Sequence, residues 1–194
     1  MESSFEQRKK DVLSKLDKSS KGIWDEKIIS LCEKINSKQN YYTTSSCSGK
    51  VVIMIDQDKK ENNLFLHVWH NLISSEELKK SLKKISLLSK SKKQIKFKME
   101  SCILHIACRT LEDAQNLLDE ARAIGWKRSG IIVSKNRFFL ELNSTEKLEF
   151  PICRKGKILV SDGFLEIIAK EANKKLEKCW GKIEKLEKVV SKKL

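Results

Sequence analysis

Two ionisable side chains lie on one face of an apolar run near the middle of the chain, residues 102–109. Side chains alternate along an extended segment, so His105 and Arg109 share a face with the small Ala107. Burying such groups destabilises a fold unless a partner or pocket receives them. His105 is therefore a candidate proton acceptor. The alternative is a core histidine with satisfied hydrogen bonds, with Arg109 paired to a carboxylate such as that of Glu112.

A run of small hydroxyl residues ending in glycine and lysine, residues 42–50, precedes the all-apolar run 51–55. Short apolar runs rich in β-branched residues are typical of strands buried on both faces. We therefore expect a loop at the mouth of a sheet, where hydroxyls and backbone N–H groups bind a carboxylate or a phosphate. The alternative is an ordinary serine-rich turn that leads into a strand.

Trp69 and His70 end a second predicted strand, residues 64–70, which is expected to pair with the first as a hairpin. An indole and an imidazole at a strand end can supply a stacking surface and a proton acceptor. The alternative is a buried aromatic residue beside a histidine at a loop edge. The sequence has three histidines, no H-E-x-x-H motif and no Ser-His-Asp order, which favours chemistry without a metal.

The elements that must position these residues are helices and strands in alternation. Amphipathic periodicity predicts two helices within residues 1–40, the second from about Trp24, with a linker at 17–22 between them. Capping residues predict further helices at 74–88, 110–124 and from Ser161 onward, and Lys90, Lys92 and Lys93 lie in a solvated connection. The predicted strands are 51–55, 64–70, 95–97, 102–109, 130–133, 137–142 and 147–152.

The order of these elements, β-β-α followed by β-α-β-β, suggests an internal duplication. We expect one compact domain over residues 1–194, with related halves at about 41–98 and 99–160, N-terminal helices in 1–40 and a C-terminal helix at 161–190. The predicted fold class is α/β, of the mixed α+β kind, with helices packed on a mixed sheet. Neither a G-x-G-x-x-G motif nor a P-loop occurs, which argues against a doubly wound Rossmann fold.

The charge of the chain predicts an anionic partner. A formal net charge of +14 arises from 40 basic and 26 acidic residues, and nucleic acid is the first candidate for a partner. Six basic residues are arginine and the rest lysine, a composition better suited to phosphate contacts than to base reading. Six cysteines without a C-x-x-C pair, no secretory signal and no apolar run long enough to span a membrane predict an intracellular protein.

Taken in order, these pieces resemble the tRNA wybutosine-synthesising methyltransferase family over residues 8–185. The hydroxyl run is the most specific part of the resemblance. The matching stretches are 21–22, 25–26, 35–36, 42–49, 68–70, 103–106, 108–109, 111–114, 125, 129–131, 144–145, 148–151 and 171–174. The chain departs from the family at Lys50, where the family usually has arginine, and at 60–65, which replaces a Gly-Gly-x-Trp approach to His70.

The resemblance implies a cytoplasmic enzyme that uses S-adenosylmethionine to methylate the modified guanosine beside the anticodon of phenylalanine tRNA. It implies that His70 or His105 accepts a proton, in one pocket shared with Ser46. The residues implied to bind the cofactor are Ser45, Ser46, Ser48 and Gly49. The residues implied to bind substrate are Lys50, Trp69, Arg109 and Ser129. The competing hypothesis is a non-catalytic RNA-binding module of the same fold, which would not bind S-adenosylmethionine.

Overall fold

The computed structural model describes residues 4–15, 25–57, 64–88 and 93–193, and within these ranges the chain forms five helices and nine strands. The helices are α1 (Phe5–Leu13), α2 (Glu26–Ser37), α3 (Ser75–Leu88), α4 (Leu111–Ala123) and α5 (Asp162–Lys193). The strands are β1 (Tyr41–Cys47), β2 (Lys50–Ile55), β3 (Phe65–Trp69), β4 (Gln94–Glu100), β5 (Ile103–Cys108), β6 (Gly130–Ser134), β7 (Arg137–Asn143), β8 (Leu148–Arg154) and β9 (Lys157–Ile158). The predicted linker at 17–22, Trp24, Lys90 and Lys92 lie outside the described residues.

The chain divides into two compact units that alternate along the sequence. Unit 1 comprises Met1–Ser48, Cys102–Thr145 and Cys179–Leu194, and unit 2 comprises Gly49–Ser101 and Glu146–Lys178. Unit 1 contains a four-stranded sheet in the order β1-β5-β7-β6, and unit 2 a five-stranded sheet in the order β3-β2-β4-β8-β9.

These sheets confirm the predicted fold class, in which helices pack on sheets without a Rossmann topology. The paired strands are antiparallel throughout both sheets, so two antiparallel sheets replace the single mixed sheet that was expected. The units also cut across the predicted halves, because β1 pairs with β5 and β8 pairs with β4. An internal duplication stays a prediction.

The hydroxyl run forms a strand where a loop was predicted. Residues Tyr41–Cys47 pair with β5, and the register shifts at a bulge between Thr43 and Ser45. Tyrosine and β-branched threonine favour a pleated, half-buried surface, and Thr43 is buried. The turn before β2 shrinks to Ser48 and Gly49, where the φ of +99° at Gly49 is a backbone conformation that glycine adopts readily.

The core of unit 1 lies on one face of its sheet. Leu104 and Ile106 of β5 are fully buried on that face, as are Leu117 and Ala121 of α4. The start of α4 is fixed as predicted, because Thr110 and Asp113 form a reciprocal capping box. On the opposite face of the sheet, Phe5 of α1 packs against Tyr42 and Ala107.

Unit 2 contains the predicted hairpin and two of the predicted helices. Val51 of β2 pairs with Trp69 of β3, and the capping box of Ser74 and Glu77 precedes α3. Within α5, the apolar positions predicted from the periodicity are buried: Leu165, Ile168, Ala172 and Leu176 in unit 2, and Cys179, Ile183, Leu186 and Val190 in unit 1. Within the described residues, none of the helices is both long and apolar enough to cross a membrane.

Candidate active site

Three polar side chains form a row across neighbouring strands of unit 1. Ser45 of β1 is paired with His105 of β5, which is paired with Glu141 of β7. Directly paired residues of antiparallel strands point to the same face of a sheet. The Ser45 Oγ lies 3.0 Å from His105 Nδ1, and His105 Nε2 lies 2.9 Å from a carboxylate oxygen of Glu141. We call these three residues the polar row.

The hydrogen bonds of the polar row define the proton positions on the imidazole. An ionised carboxylate is only an acceptor, so Nε2 carries the hydrogen that Glu141 accepts. The neutral ring then has a bare Nδ1, to which the hydroxyl of Ser45 donates. The Ser45 oxygen keeps its lone pairs for another group, and protonation of the ring would place the positive charge beside Glu141. The side chains of His105 and Glu141 are 35% and 36% exposed, so solvent reaches both.

The bulge in β1 decides which serine stands beside the imidazole. Ser46 pairs with the buried Leu104 and therefore lies on the opposite face of the sheet from His105. The pocket that was expected to join Ser46 with His105 is thus replaced by direct contact of His105 with Ser45.

The donors of Ser48 are occupied within the protein. Its backbone N–H and its hydroxyl both donate to one carboxylate oxygen of Asp25, at 3.0 and 3.3 Å, and the residue is buried. Asp25 stands directly before α2. A carboxylate is therefore bound where the sequence suggested one, but it belongs to the chain itself. Gly49 occupies the adjoining turn, on the unit 2 side of the boundary.

The outer edge of β1 is held by Asn36, a residue to which the residue types alone assigned no role. The amide oxygen of Asn36 accepts the backbone N–H of Thr43 at 2.7 Å, and its nitrogen donates to the Thr43 hydroxyl at 3.0 Å. Since β1 is an edge strand, this contact satisfies a donor that would otherwise face away from the ladder. It helps fix the strand that presents Ser45.

Arg109 lies at the end of β5, where its guanidinium anchors the N-terminal helix. Its Nε donates to Asn40 at 2.9 Å, and the guanidinium also pairs with Glu6 and lies over the ring of Phe5 at 4.8 Å. The predicted alternative of a carboxylate partner is thus what the structure shows, although the partner is Glu6 and not Glu112. The hydrogen-bond contact with Glu6 lowers the pKa of that carboxyl.

Ser129 lies in a buried turn. Its hydroxyl donates to the carbonyl oxygen of Trp126 at 2.7 Å and accepts the N–H of Asn143 at 3.0 Å. It is 8% exposed, so the geometry indicates a fold-stabilising hydroxyl.

The remaining predicted residues belong to unit 2. His70 follows β3, and its Nδ1 is buried. The Trp69 ring stacks on His67 with centroids 3.9 Å apart, so one face of the indole is covered. Burial, followed by the charge of Lys84, lowers the pKa of His67. The Lys50 ammonium lies 3.3 Å from Glu100 and 4.9 Å from the centroid of the Phe65 ring.

One face of the unit 2 sheet carries a lattice of ion pairs around Glu149. Its carboxylate lies 2.8 Å from Lys147, 3.2 Å from Lys98 and 3.3 Å from Lys96. The hydrogen bond with Lys147, followed by those with the other two lysines, lowers the pKa of Glu149 to about 2. Lys96 also pairs with Asp56 at 2.8 Å, which raises the pKa of its ammonium. We call this set the ion-pair lattice.

Glu141 is the member of the polar row that sequence reasoning missed. The only signal was a charged residue inside the otherwise apolar run of β7, FFLEL. Nothing in the sequence states that β7 lies beside β5, because the two strands are joined through α4 and β6.

Known proteins resemble the chain over nearly its whole length. The family described as Methyltransferase TYW3 matches residues 7–192. A Thermococcus sibiricus protein named tRNA(Phe) 7-((3-amino-3-carboxypropyl)-4-demethylwyosine(37)-N(4))-methyltransferase is 38% identical, over 98% of this chain and 96% of its own length. A Xenopus laevis protein named tRNA wybutosine-synthesizing protein 3 homolog is 36% identical, over 90% of this chain and 69% of its own length.

Solved structures give the same result for the fold. The PH1069 protein from Pyrococcus horikoshii superposes with a TM-score of 0.86 at 34% identity, covering 97% of this chain and 94% of that one. A hypothetical protein from Aeropyrum pernix superposes with a TM-score of 0.71 at 23% identity, covering 86% of this chain and 96% of that one, and is similar in fold alone.

Proposed function

Because the chain belongs to the Methyltransferase TYW3 family, we propose that it methylates N4 of 7-(3-amino-3-carboxypropyl)-4-demethylwyosine at position 37 of phenylalanine tRNA. The chain is a methyltransferase, and tRNA is its partner. The specific base is that in the names of its relatives from Thermococcus and Pyrococcus. The observation that carries the chemical proposal is the polar row, in which an imidazole is hydrogen-bonded on both nitrogens.

The proposed methyl donor is S-adenosylmethionine, which supplies a methyl group on a positively charged sulfur. The exposed atoms of the polar row fit such a donor in part. The Ser45 oxygen and the carboxylate of Glu141 are acceptors, which suit an ammonium or ribose hydroxyls. The donors of Ser48 are occupied by Asp25, so they do not suit the carboxylate of the donor. Ser46 and Gly49 stay candidates for binding it.

The polar row provides a route for the proton that the substrate nitrogen loses. In this proposal Ser45 takes the proton from N4 while its own hydroxyl proton passes to Nδ1 of His105. Glu141 holds the ring as the tautomer with a bare Nδ1 and stabilises the imidazolium that forms. The exposed imidazolium then returns its proton to solvent. A positioned proton acceptor typically contributes about 10²- to 10⁴-fold in rate.

Binding of the tRNA is assigned to two kinds of contact. A base in an anticodon loop is unpaired and can stack on an aromatic side chain, and the free face of Trp69 is the proposed platform, with Lys50 nearby on the paired strand. The lysine excess of the chain holds the phosphate backbone of the anticodon arm. The buried or fully bonded contacts of Arg109 and Ser129 support structural roles for these two residues.

The test is methyl transfer from labelled S-adenosylmethionine to phenylalanine tRNA isolated from cells that lack this methylation. The wild-type protein is expected to label position 37, and His105→Ala to lower the rate about a hundredfold or more while melting at the wild-type temperature. Equal rates for His105→Ala and wild type, or a loss explained by unfolding, would refute the role of the imidazole. His70→Ala, assayed in parallel, tests the other predicted acceptor.

A non-catalytic RNA-binding module is separated from the enzyme by calorimetry. The enzyme is expected to release or take up heat when S-adenosylmethionine is added alone, with one site per chain. A protein that binds the tRNA, shows no binding of the donor and transfers no methyl group would establish the module instead.

A further inference from the structure

The turn between β8 and β9 presents a compact group of cations on unit 2. Arg154, Lys155 and Lys157 are all exposed, and Gly156 is the only residue among them without a charge. Arg154 pairs with Lys157 across the hairpin, so the loop proper has two residues. We call residues 154–157 the basic tip.

The backbone of the basic tip is not one that lysine favours. Lys155 has a φ of +50° and Gly156 a φ of +73°, so both loop residues adopt left-handed conformations. Tight hairpins with this geometry prefer asparagine, aspartate or glycine, because other residues place Cβ close to the backbone. Unfavourable backbone conformations are characteristic of sites where a side chain has a task beyond folding. Lys155 is therefore a candidate for ligand contact.

The charge of the basic tip is uncompensated, in contrast to that of the ion-pair lattice. Within the part of the chain that the structure describes, none of its three cations forms an ion pair, and residues 150–161 contain no acidic side chain. Lys96, Lys98 and Lys147 share the carboxylate of Glu149 instead.

Further lysines of unit 2 extend the same surface. Lys79 of α3 pairs with Asp162 at the start of α5, which shows that this side of α3 faces the segment just after β9. Lys83 is exposed and lies one helical turn further along the same side. Lys93 directly precedes Gln94, the residue paired with Arg154. The basic tip is thus the centre of a positive surface and not an isolated turn.

We infer that the basic tip is an RNA contact, which binds backbone phosphates of the tRNA through Arg154, Lys155 and Lys157. The inference rests on the proposed function for the identity of the RNA. A phosphate backbone is the expected occupant because the tip offers exposed cations with no apolar side chain between them, the pattern that positions a nucleic acid without reading its bases. An apolar protein partner would have nothing to bury there.

The experiment compares two triple variants that remove equal charge. Arg154→Gln/Lys155→Asn/Lys157→Gln changes the basic tip, and Lys185→Gln/Lys188→Gln/Lys192→Gln changes exposed lysines of α5 in unit 1. Binding of the unmethylated anticodon stem-loop is measured by fluorescence anisotropy over a series of salt concentrations. Each lost phosphate contact removes about 0.7–0.9 from the slope of log K against log salt, so the tip variant is expected to lose about two units and the control almost none.

A single substitution removes backbone effects from the comparison. Lys135 in the β6–β7 turn of unit 1 also has a left-handed φ, of +53°, but its neighbours are Ser134 and Asn136 and not cations. Asparagine suits both turns, so Lys155→Asn and Lys135→Asn should each keep or raise the melting temperature. We expect weaker RNA binding for Lys155→Asn alone.

The outcomes separate this inference from the proposed function. Equal salt slopes for the two triple variants would overturn the basic tip as an RNA contact, even if the wild type methylates tRNA. Loss of binding to phosphatidylserine vesicles with unchanged RNA binding would overturn it in favour of a membrane contact. A wild type that binds the stem-loop through the tip but transfers no methyl group would sustain the contact and refute the proposed function.

Discussion

The two sheets use the same structural device for different ends. In each, antiparallel pairing places polar side chains of three adjacent strands side by side on one face. In unit 1 the middle residue is His105, between the hydroxyl of Ser45 and the carboxylate of Glu141. In unit 2 the shared partner is Glu149, which lies among three ammonium groups.

The difference lies in whether a proton can move. Glu149 has a pKa of about 2, so it is ionised throughout the neutral range, and its lysine partners are cationic there as well. Such a lattice stabilises but cannot exchange protons at neutral pH. The polar row contains the one type of side chain that titrates near neutrality, with a bound hydrogen on each side of the ring. We infer that register, more than residue type alone, separates a chemical site from a structural one here.

The largest expected effect in this comparison is on catalysis, from Glu141→Gln. An amide can donate to Nε2, which would favour the tautomer with hydrogen on Nδ1 and break the relay from Ser45. We expect kcat to fall about a hundredfold, within the range of general-base effects, with little change in KM for tRNA. The melting temperature should stay near that of the wild type.

The imidazole itself reports the mechanism of that loss. Nitrogen-15 NMR of the two histidine ring nitrogens should show Nε2 protonated in wild type and a shift toward Nδ1 in Glu141→Gln. Glu112→Gln, at an exposed position of α4, is the matched control and should leave both rate and spectrum unchanged. A rate equal to wild type in Glu141→Gln would show that the carboxylate has no positioning role.

The second expected effect divides two serines of unit 1. Ser129→Ala removes the acceptor for the buried N–H of Asn143, and an unsatisfied buried group costs about 1–3 kcal/mol. Ser45→Ala removes an exposed hydroxyl, so its free energy of unfolding should change little while methyl transfer slows. Denaturant unfolding and the labelled-methyl assay measure both quantities. A stable Ser129→Ala protein with impaired tRNA binding would restore the predicted substrate role of Ser129.

Local signals in the sequence predicted the helices better than the site. The boundaries of α3 and α4 follow from capping residues a few positions apart, and their hydrogen bonds are present. The strand β1 was missed because serine and threonine were interpreted as turn formers. Its stability depends on pairing with β5, about sixty residues later, which no local pattern encodes.

The candidate site shows the same limit at the scale of one residue. Alternation within β5 was enough to place His105 away from the core face. Whether Ser45 or Ser46 contacts it depends on the bulge beside Thr44, and a bulge reverses which residues face each side. Glu141 joins the site only through the pairing of β7 with β5. Long-range register, which sequence alone did not provide, therefore decides the composition of the polar row.

The smallest expected effect is on stability, from Glu149→Gln in the ion-pair lattice. A carboxyl whose pKa falls from the ordinary 4.5 to about 2 on folding stabilises the folded state above pH 4.5. This contribution is lost as the pH falls from 4.5 to 2, where the folded protein also becomes protonated. Partly solvated ion pairs contribute about 0–1 kcal/mol each, so we expect a small decrease in melting temperature for the variant at pH 7 and none at pH 2.

Melting curves of wild type and Glu149→Gln between pH 2 and pH 7 measure this difference, with Glu166→Gln, exposed on α5 of unit 2, as the control. The methyl-transfer rate at pH 7 should be the same in both variants and the wild type, because the lattice holds no transferable proton. If Glu149→Gln lowered the rate about a hundredfold, as expected for Glu141→Gln, the division between a chemical face in unit 1 and a stabilising face in unit 2 would fail. A melting difference that persists at pH 2 would instead assign the effect to packing of the glutamate side chain and not to its charge.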